Sequence, residues 1–225
     1  MLSVHVVKSL LFNLWATALV VVGETPKGIK YEYVSGFLPS KTDDTKLEEF
    51  SFTLRDFRDV LRFPAKPADT KAYESLPTET QLLEFLEEIG NEWDDKIGKV
   101  THTVKRSRMT AEWSYIFAHF NQCLTCKVGS HDQASIVHVQ TVYSAVKNRQ
   151  IDWAKLIYDD QLNKLRLPQS SKAPQRQTAV MYPRFLSRVI RMRYAENDIY
   201  PAGDLRYSEI GNTMLNNKRH SMTDL

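Results

Sequence analysis

A chain of 225 residues, 42% hydrophobic and 25% charged, has the makeup of an ordinary soluble domain and is long enough to bury a core without disulfides or metal. Its two cysteines, Cys123 and Cys126, are too few for a disulfide framework and favour a reducing, intracellular setting over a secreted one. The net charge of +3 conceals an asymmetry: residues 1–100 carry 12 Lys/Arg against 17 Asp/Glu, and residues 101–225 carry 18 against 10, so only the second half suits a polyanion.

Lys8 precedes the run SLLFNLWATALVVV at 9–22. With Ala16-Thr17-Ala18 it imitates a secretory signal. The run falls short of the roughly 20 apolar residues a membrane span needs, and Asn13 interrupts it. The preferred expectation is a buried helix around 6–15 and a strand around 16–22. Residues 29–34 (IKYEYV) alternate, with Ile29, Tyr31 and Tyr33 on one face. Residues 47–53 (LEEFSFT) put Phe50 and Phe52 together. These predict two antiparallel strands.

Thr53 and Asp56 have capping-box spacing, and Leu54, Phe57, Val60 and Leu61 follow on one helical face until Pro64 and Pro67. Thr78 and Gln81 repeat the box. Leu82, Leu83, Phe85, Leu86 and Ile89 form the stripe behind it, Gly90 the stop, and Glu84, Glu87 and Glu88 a solvated face. Helices are predicted over 110–122 (Trp113, Ile116, Phe117, Phe120) and 132–148 (Ile136, Val137, Val139, Val142, Tyr143, Val146). Another spans 152–165 (Trp153, Leu156, Ile157, Leu162), with Asp152 as N-cap. The Pro/Ser/Gln-rich stretch 167–178 predicts a loop, Pro183 opens a last helix, and the polar segment 196–225 is expected to be poorly ordered.

Cys123, Cys126 and His131 copy three ligands of a zinc knuckle. A structural zinc needs four, and the fourth place falls on Ile136, with His138 out of register. A redox role suits the pair even less, because a helix C-terminus opposes a thiolate. Asp152, Asp159, Asp160 and the glutamates from Glu79 to Glu88 raise the question of a metal-dependent nuclease, which needs converging carboxylates. On helices beside Lys and Arg they read as solvated. His119, His131, His138 and His220 sit in no catalytic motif, and no phosphate-binding glycine loop exists.

One basic feature stands out. Lys164, Arg166, Lys172, Arg176, Arg184, Arg188, Arg191 and Arg193 fall in an acid-free stretch from 161 to 195. Arg184, Arg188 and Arg191 share a helical face, with Met181, Phe185, Val189 and Met192 toward the other side. Such a face can offer guanidinium groups to phosphates.

Five segments carry a resemblance: FTLRDFRDVLRFP (52–64), YESLPTETQLLEFLEEIG (73–90), QCLTCKVGSHDQ (122–133), IDWAKLIYDDQ (151–161) and MYPRFLSRVI (181–190). Their order and spacing resemble the plant transposon protein domain of plant retrotransposon-derived open reading frames. The likeness runs from about residue 10 to about 195 and includes Leu14-Trp15-Ala16-Thr17-Ala18 as the family's entry motif, which counts against a signal peptide. It departs at Thr141-Val142-Tyr143, where the family usually carries an Ile-Leu-Trp run. The resemblance implies origin more than activity and carries no catalytic residue over.

The expectation is an α+β, predominantly helical fold: one domain over 1–195, with a small N-terminal antiparallel sheet packed on about six helices. The expected function is a non-enzymatic, transposable-element-derived domain with a structural or assembly role. It would self-associate, with Trp113, Phe117, Phe120, Trp153 and Tyr182 as packing residues. The alternative is nucleic-acid binding through Arg184, Arg188 and Arg191. A metal-dependent nuclease or hydrolase ranks third. No catalytic residue, cofactor, metal, membrane or small-molecule ligand is expected.

Overall fold

A computed structural model describes residues 8–40, 45–66, 72–91, 103–125, 133–166, 180 and 182–193. The predicted loop 167–178 and the tail 196–225 lie outside them. Among the described residues the fold is α+β, with seven α-helices and a three-stranded antiparallel sheet near the N-terminus. The chain divides into two compact units, Met1–Phe63 with Tyr158–Leu225, and Pro64–Ile157.

In the first unit α1 (Lys8–Thr17) leads into β1 (Leu19–Glu24), β2 (Lys30–Pro39) and β3 (Leu47–Thr53), in the spatial order β1-β2-β3. The N-terminal apolar run is therefore part of this unit, burying Leu11, Leu14 and Trp15. The strand starts three residues later than the sequence suggests. Ala18 N still donates to Leu14 O (2.7 Å), and Thr17 Oγ1 accepts from Phe37 N (2.8 Å), which holds the helix end against β2. Thr25-Pro26-Lys27-Gly28 makes the β1–β2 turn: Gly28 N donates to Thr25 O (2.9 Å), and Gly28 takes φ 76°, a left-handed conformation glycine adopts freely.

Strand alternation sends Val34, Leu38, Phe50 and Phe52 into the core. Gly36 lies among them because α1 passes close: a Cβ there would sit 2.9 Å from Leu14 Cδ1 and 3.1 Å from Ala18 Cα. Ile29, Tyr31 and Tyr33 point the other way, and Ile29 is 62% exposed. The core closes with α2 (Leu54–Leu61), α7 (Pro183–Arg193) and Tyr158. Phe57 contacts the Tyr158 ring (5.8 Å) and meets Phe185 edge-on (6.1 Å, 84°). The Thr53–Asp56 capping box opens α2 as its spacing predicts: Thr53 N donates to Asp56 Oδ2 (2.8 Å), and Asp56 N to Thr53 Oγ1 (3.3 Å).

The second unit holds α3 (Glu79–Glu88), the short pair β4 (Thr103–Lys105) and β5 (Gln133–Ser135), α4 (Ala111–Thr125) and α5 (Ile136–Val146). The unit boundary falls inside α6 (Trp153–Arg166). Phe85 is the hinge of the core here, edge-on to both Trp113 (5.7 Å) and Tyr143 (5.5 Å). Leu82, Leu86, Ile89, Phe117, Val139 and Val142 fill in around it, and Val137, Ile151 and Leu156 make a smaller cluster with Trp153. Ile116 and Val146, predicted within buried stripes, are 39% and 48% exposed, because each stripe is wider than the surface it meets. The Thr78–Gln81 box forms, Gly90 takes φ 77° after the last turn of α3, and Lys155 N donates to Asp152 Oδ1 (3.0 Å) at the start of α6.

Candidate functional site

The predicted basic helix exists as α7. Its entry is fixed by Tyr182, which is fully buried at φ 52° and stacks on Phe185 (6.1 Å, 5°). The Tyr182 hydroxyl donates to Asp160 Oδ2 at 2.7 Å. Burial, and then the Asp160 charge, push the Tyr182 hydroxyl far above the ordinary tyrosine range. Tyr158 is held high for the same first reason, with its hydroxyl donating to Phe52 O (3.2 Å). Pro183 then begins the helix without wasting a donor.

Leu186, Val189 and Ile190 form the buried side of α7. The sequence places Met192 toward the packed side, but it is 49% exposed, since the buried arc is centred on Leu186 and Val189. Phe185 is half-buried at its margin, and Met181 lies outside the described residues. Arg184, Arg188 and Arg191 do share one face; the first two are half-buried and Arg191 is exposed. Two of the remaining basic side chains are described, and both lie on α6. Arg166 is ion-paired to Glu32 and Lys164 is half-buried on α6. Lys172, Arg176 and the Arg193 side chain lie outside the described residues.

A basic contribution that the sequence reading missed comes from α2, which packs on α7. Arg55 and Arg62 are exposed there and Arg58 is half-buried. The spacing Arg55, Arg58, Arg62 was visible in the sequence. What hid it was the interleaved Asp56 and Asp59, and Asp56 is spent on the Thr53 cap.

The carboxylates are used locally. Asp152 caps α6 and Asp160 accepts from Tyr182. In the second unit Glu74 receives Arg149 Nε (3.0 Å) and Gln150 N (2.9 Å), and that Gln150 amide bond and the guanidinium hold its carboxyl below the usual range. Among the described residues no three His, Cys, Asp or Glu side chains gather as a metal site. The Cys123 side chain, Cys126 and His131 lie outside those residues. His138 is the reciprocal member of a capping box at the start of α5, its Nδ1 accepting from Ser135 N (3.4 Å). His119 stacks on the exposed Tyr115 (6.5 Å, 14°).

The other candidate surface is the outward face of the sheet. Register places Leu19, Val21, Gly23, Tyr31 and Tyr33 on it together, with Phe37 (opposite Glu49) and Leu47 at its far end beyond Ser35 and Ser51. Leu19 is 55% exposed and Tyr31 41%. Ser35 Oγ donates to Glu49 Oε1 (2.6 Å), which separates the two apolar groups. Among the described residues no helix is long and apolar enough to cross a membrane. No family model, curated protein or solved structure gives a significant match to this chain.

Proposed function

We propose that this chain is a non-enzymatic domain of transposable-element origin whose role is structural, acting through protein–protein assembly. The observation that carries the assembly role is the outward sheet face. Leu19, Val21, Tyr31 and Tyr33 form one apolar group and Phe37 and Leu47 a second, on a sheet whose opposite face buries Val34, Leu38, Phe50 and Phe52. Leu19, Tyr31, Phe37 and Leu47 are each between 41% and 55% exposed, and exposed apolar groups of this kind gathered on one face are often functional. Support for the origin is the order of the five sequence segments, several of which supply core and capping residues such as Thr53, Phe57, Thr78 and Tyr182.

Sedimentation velocity across a wide concentration range tests the role. Assembly predicts a rising weight-average mass. A constant monomer mass would remove it. The origin is tested separately by reading the genomic sequence around the coding region: gag, protease or polymerase segments support it, and an unrelated host gene opposes it.

A second reading, nucleic-acid binding, is favoured by one specific observation, the shared face of Arg184, Arg188 and Arg191 on α7 beside the arginines of α2. Binding through phosphates should fall steeply with salt. Reversing the three α7 charges to glutamate should abolish it, and unchanged affinity would refute this reading.

A further inference from the structure

We propose that the outer edge of β1 pairs antiparallel with the same edge of a second copy of this chain, about a two-fold axis through Val21. The inference rests on the assembly reading above and names its surface and partner.

The backbone sets the register. Thr25 N donates to Ile29 O (2.9 Å), so Thr25 and Ile29 are a hydrogen-bonded pair. Antiparallel pairs alternate, so Gly23, Val21 and Leu19 also turn their amides toward β2. Val20 and Val22 therefore turn theirs away from it. Among the described residues β1 is the end strand of its sheet, and nothing pairs with that side.

Edge strands usually carry a lysine, a proline or a bulge that blocks pairing. Leu19-Val20-Val21-Val22-Gly23 carries none of these, its register with β2 is unbroken, and Val22 is 61% exposed. An axis through Val21 sets Val20 of each copy opposite Val22 of the other. Every outward N–H in that pairing then meets an outward carbonyl.

The side chains agree with the same axis. Leu19 comes opposite Gly23 of the second copy. A Cβ on Gly23 would stand 2.7 Å from Tyr31 Cζ, so the Tyr31 ring lies across the glycine; the ring is still 41% exposed, and Leu19 of the second copy can cover it. Pairing of this parity keeps both outward faces on one side, joining the Leu19, Val21, Tyr31 and Tyr33 groups into one apolar field. The two Glu24 carboxylates fall at opposite ends of the paired segment, so like charges do not meet. A foreign strand would find no charged side chain to read between Leu19 and Gly23, whereas a second copy supplies its own complement. An edge this short covers less than the roughly 1,200 Å² of a standard interface, so the dimer is reversible.

The experiment uses the full chain in sedimentation velocity from about 1 to about 200 μM, a range chosen for the weak affinity of small interfaces. Val22→Pro deletes an outward N–H and no bond to β2, and should weaken dimerisation by about tenfold or more with unchanged far-UV circular dichroism. In a Cys123→Ser/Cys126→Ser background, Val21→Cys should give a covalent dimer with oxidised glutathione, because facing residues of a non-hydrogen-bonded pair lie about 4.5 Å apart. Val22→Cys should not. A wild-type chain that stays monomeric throughout removes the assembly reading and this inference together. Self-association that Val22→Pro leaves unchanged, with no Val21→Cys cross-link, preserves the assembly reading and overturns the β1 edge. If Val22→Pro unfolds the chain, the comparison of the two cysteine variants decides alone.

Discussion

Deleting one oxygen from Tyr182 tests how the first unit holds its basic helix. The Tyr182→Phe side chain keeps the ring that stacks on Phe185 and the left-handed backbone at φ 52°, and loses only the hydroxyl that donates 2.7 Å to Asp160 Oδ2. A hydrogen bond to a charged acceptor contributes about 1.5–3 kcal/mol, so a loss of about 2 kcal/mol is expected at pH 8. The size of that loss depends on pH. Burial raises the folded-state pKa of Tyr182 far above the ordinary value of about 10, so the folded chain keeps a proton that the unfolded chain releases. Stability from this group is complete below pH 10 and is lost as pH rises beyond it. At pH 11 that loss amounts to about 1.4 kcal/mol in the wild type and is absent in the variant. The gap between the two proteins should therefore shrink from about 2 kcal/mol at pH 8 to well under 1 kcal/mol at pH 11. Urea unfolding followed by circular dichroism at both pH values measures it. A gap that is the same at both would refute the argument that a buried neutral hydroxyl serves Asp160.

Phe85→Ala removes a ring that is edge-on to both Trp113 and Tyr143, and should cost the second unit about 3–5 kcal/mol in urea unfolding. Thr78→Ala deletes the N-cap of α3 and should cost about 1 kcal/mol, while Thr78→Ser should cost little; thermal unfolding compares the two. Gly36→Ala sets a methyl group against the Ala18 backbone and should destabilise by about 1–3 kcal/mol, visible as a lower urea midpoint. A neutral result would mean that α1 does not press on β2.

Much of the local architecture is legible in the sequence. The boxes at Thr53–Asp56 and Thr78–Gln81, the Asp152 cap and the Pro183 helix start appear where spacing predicts them, because a cap is a contact between residues three apart. The Ser135–His138 box is not legible in this way, since histidine is not the residue expected to return the capping contact. On α7 the arginine face follows from helical periodicity alone, but which flank is buried does not. Met192 and Val189 are equally apolar in the sequence; only the packing partners distinguish them.

What the sequence settled by itself was the fold class, the order of most elements and the termini of several helices, all set by short-range spacing and side-chain chemistry. Tertiary structure alone decided that Tyr31 and Tyr33 face outward while Val34 and Leu38 face inward, that α2 brings its arginines beside α7, and that among the described residues β1 ends the sheet with the Val20 and Val22 amides turned outward. Each of these depends on pairing between segments distant in the chain. Strand alternation names two faces but not which one meets a helix, and an edge exists only once the neighbours of every strand are known.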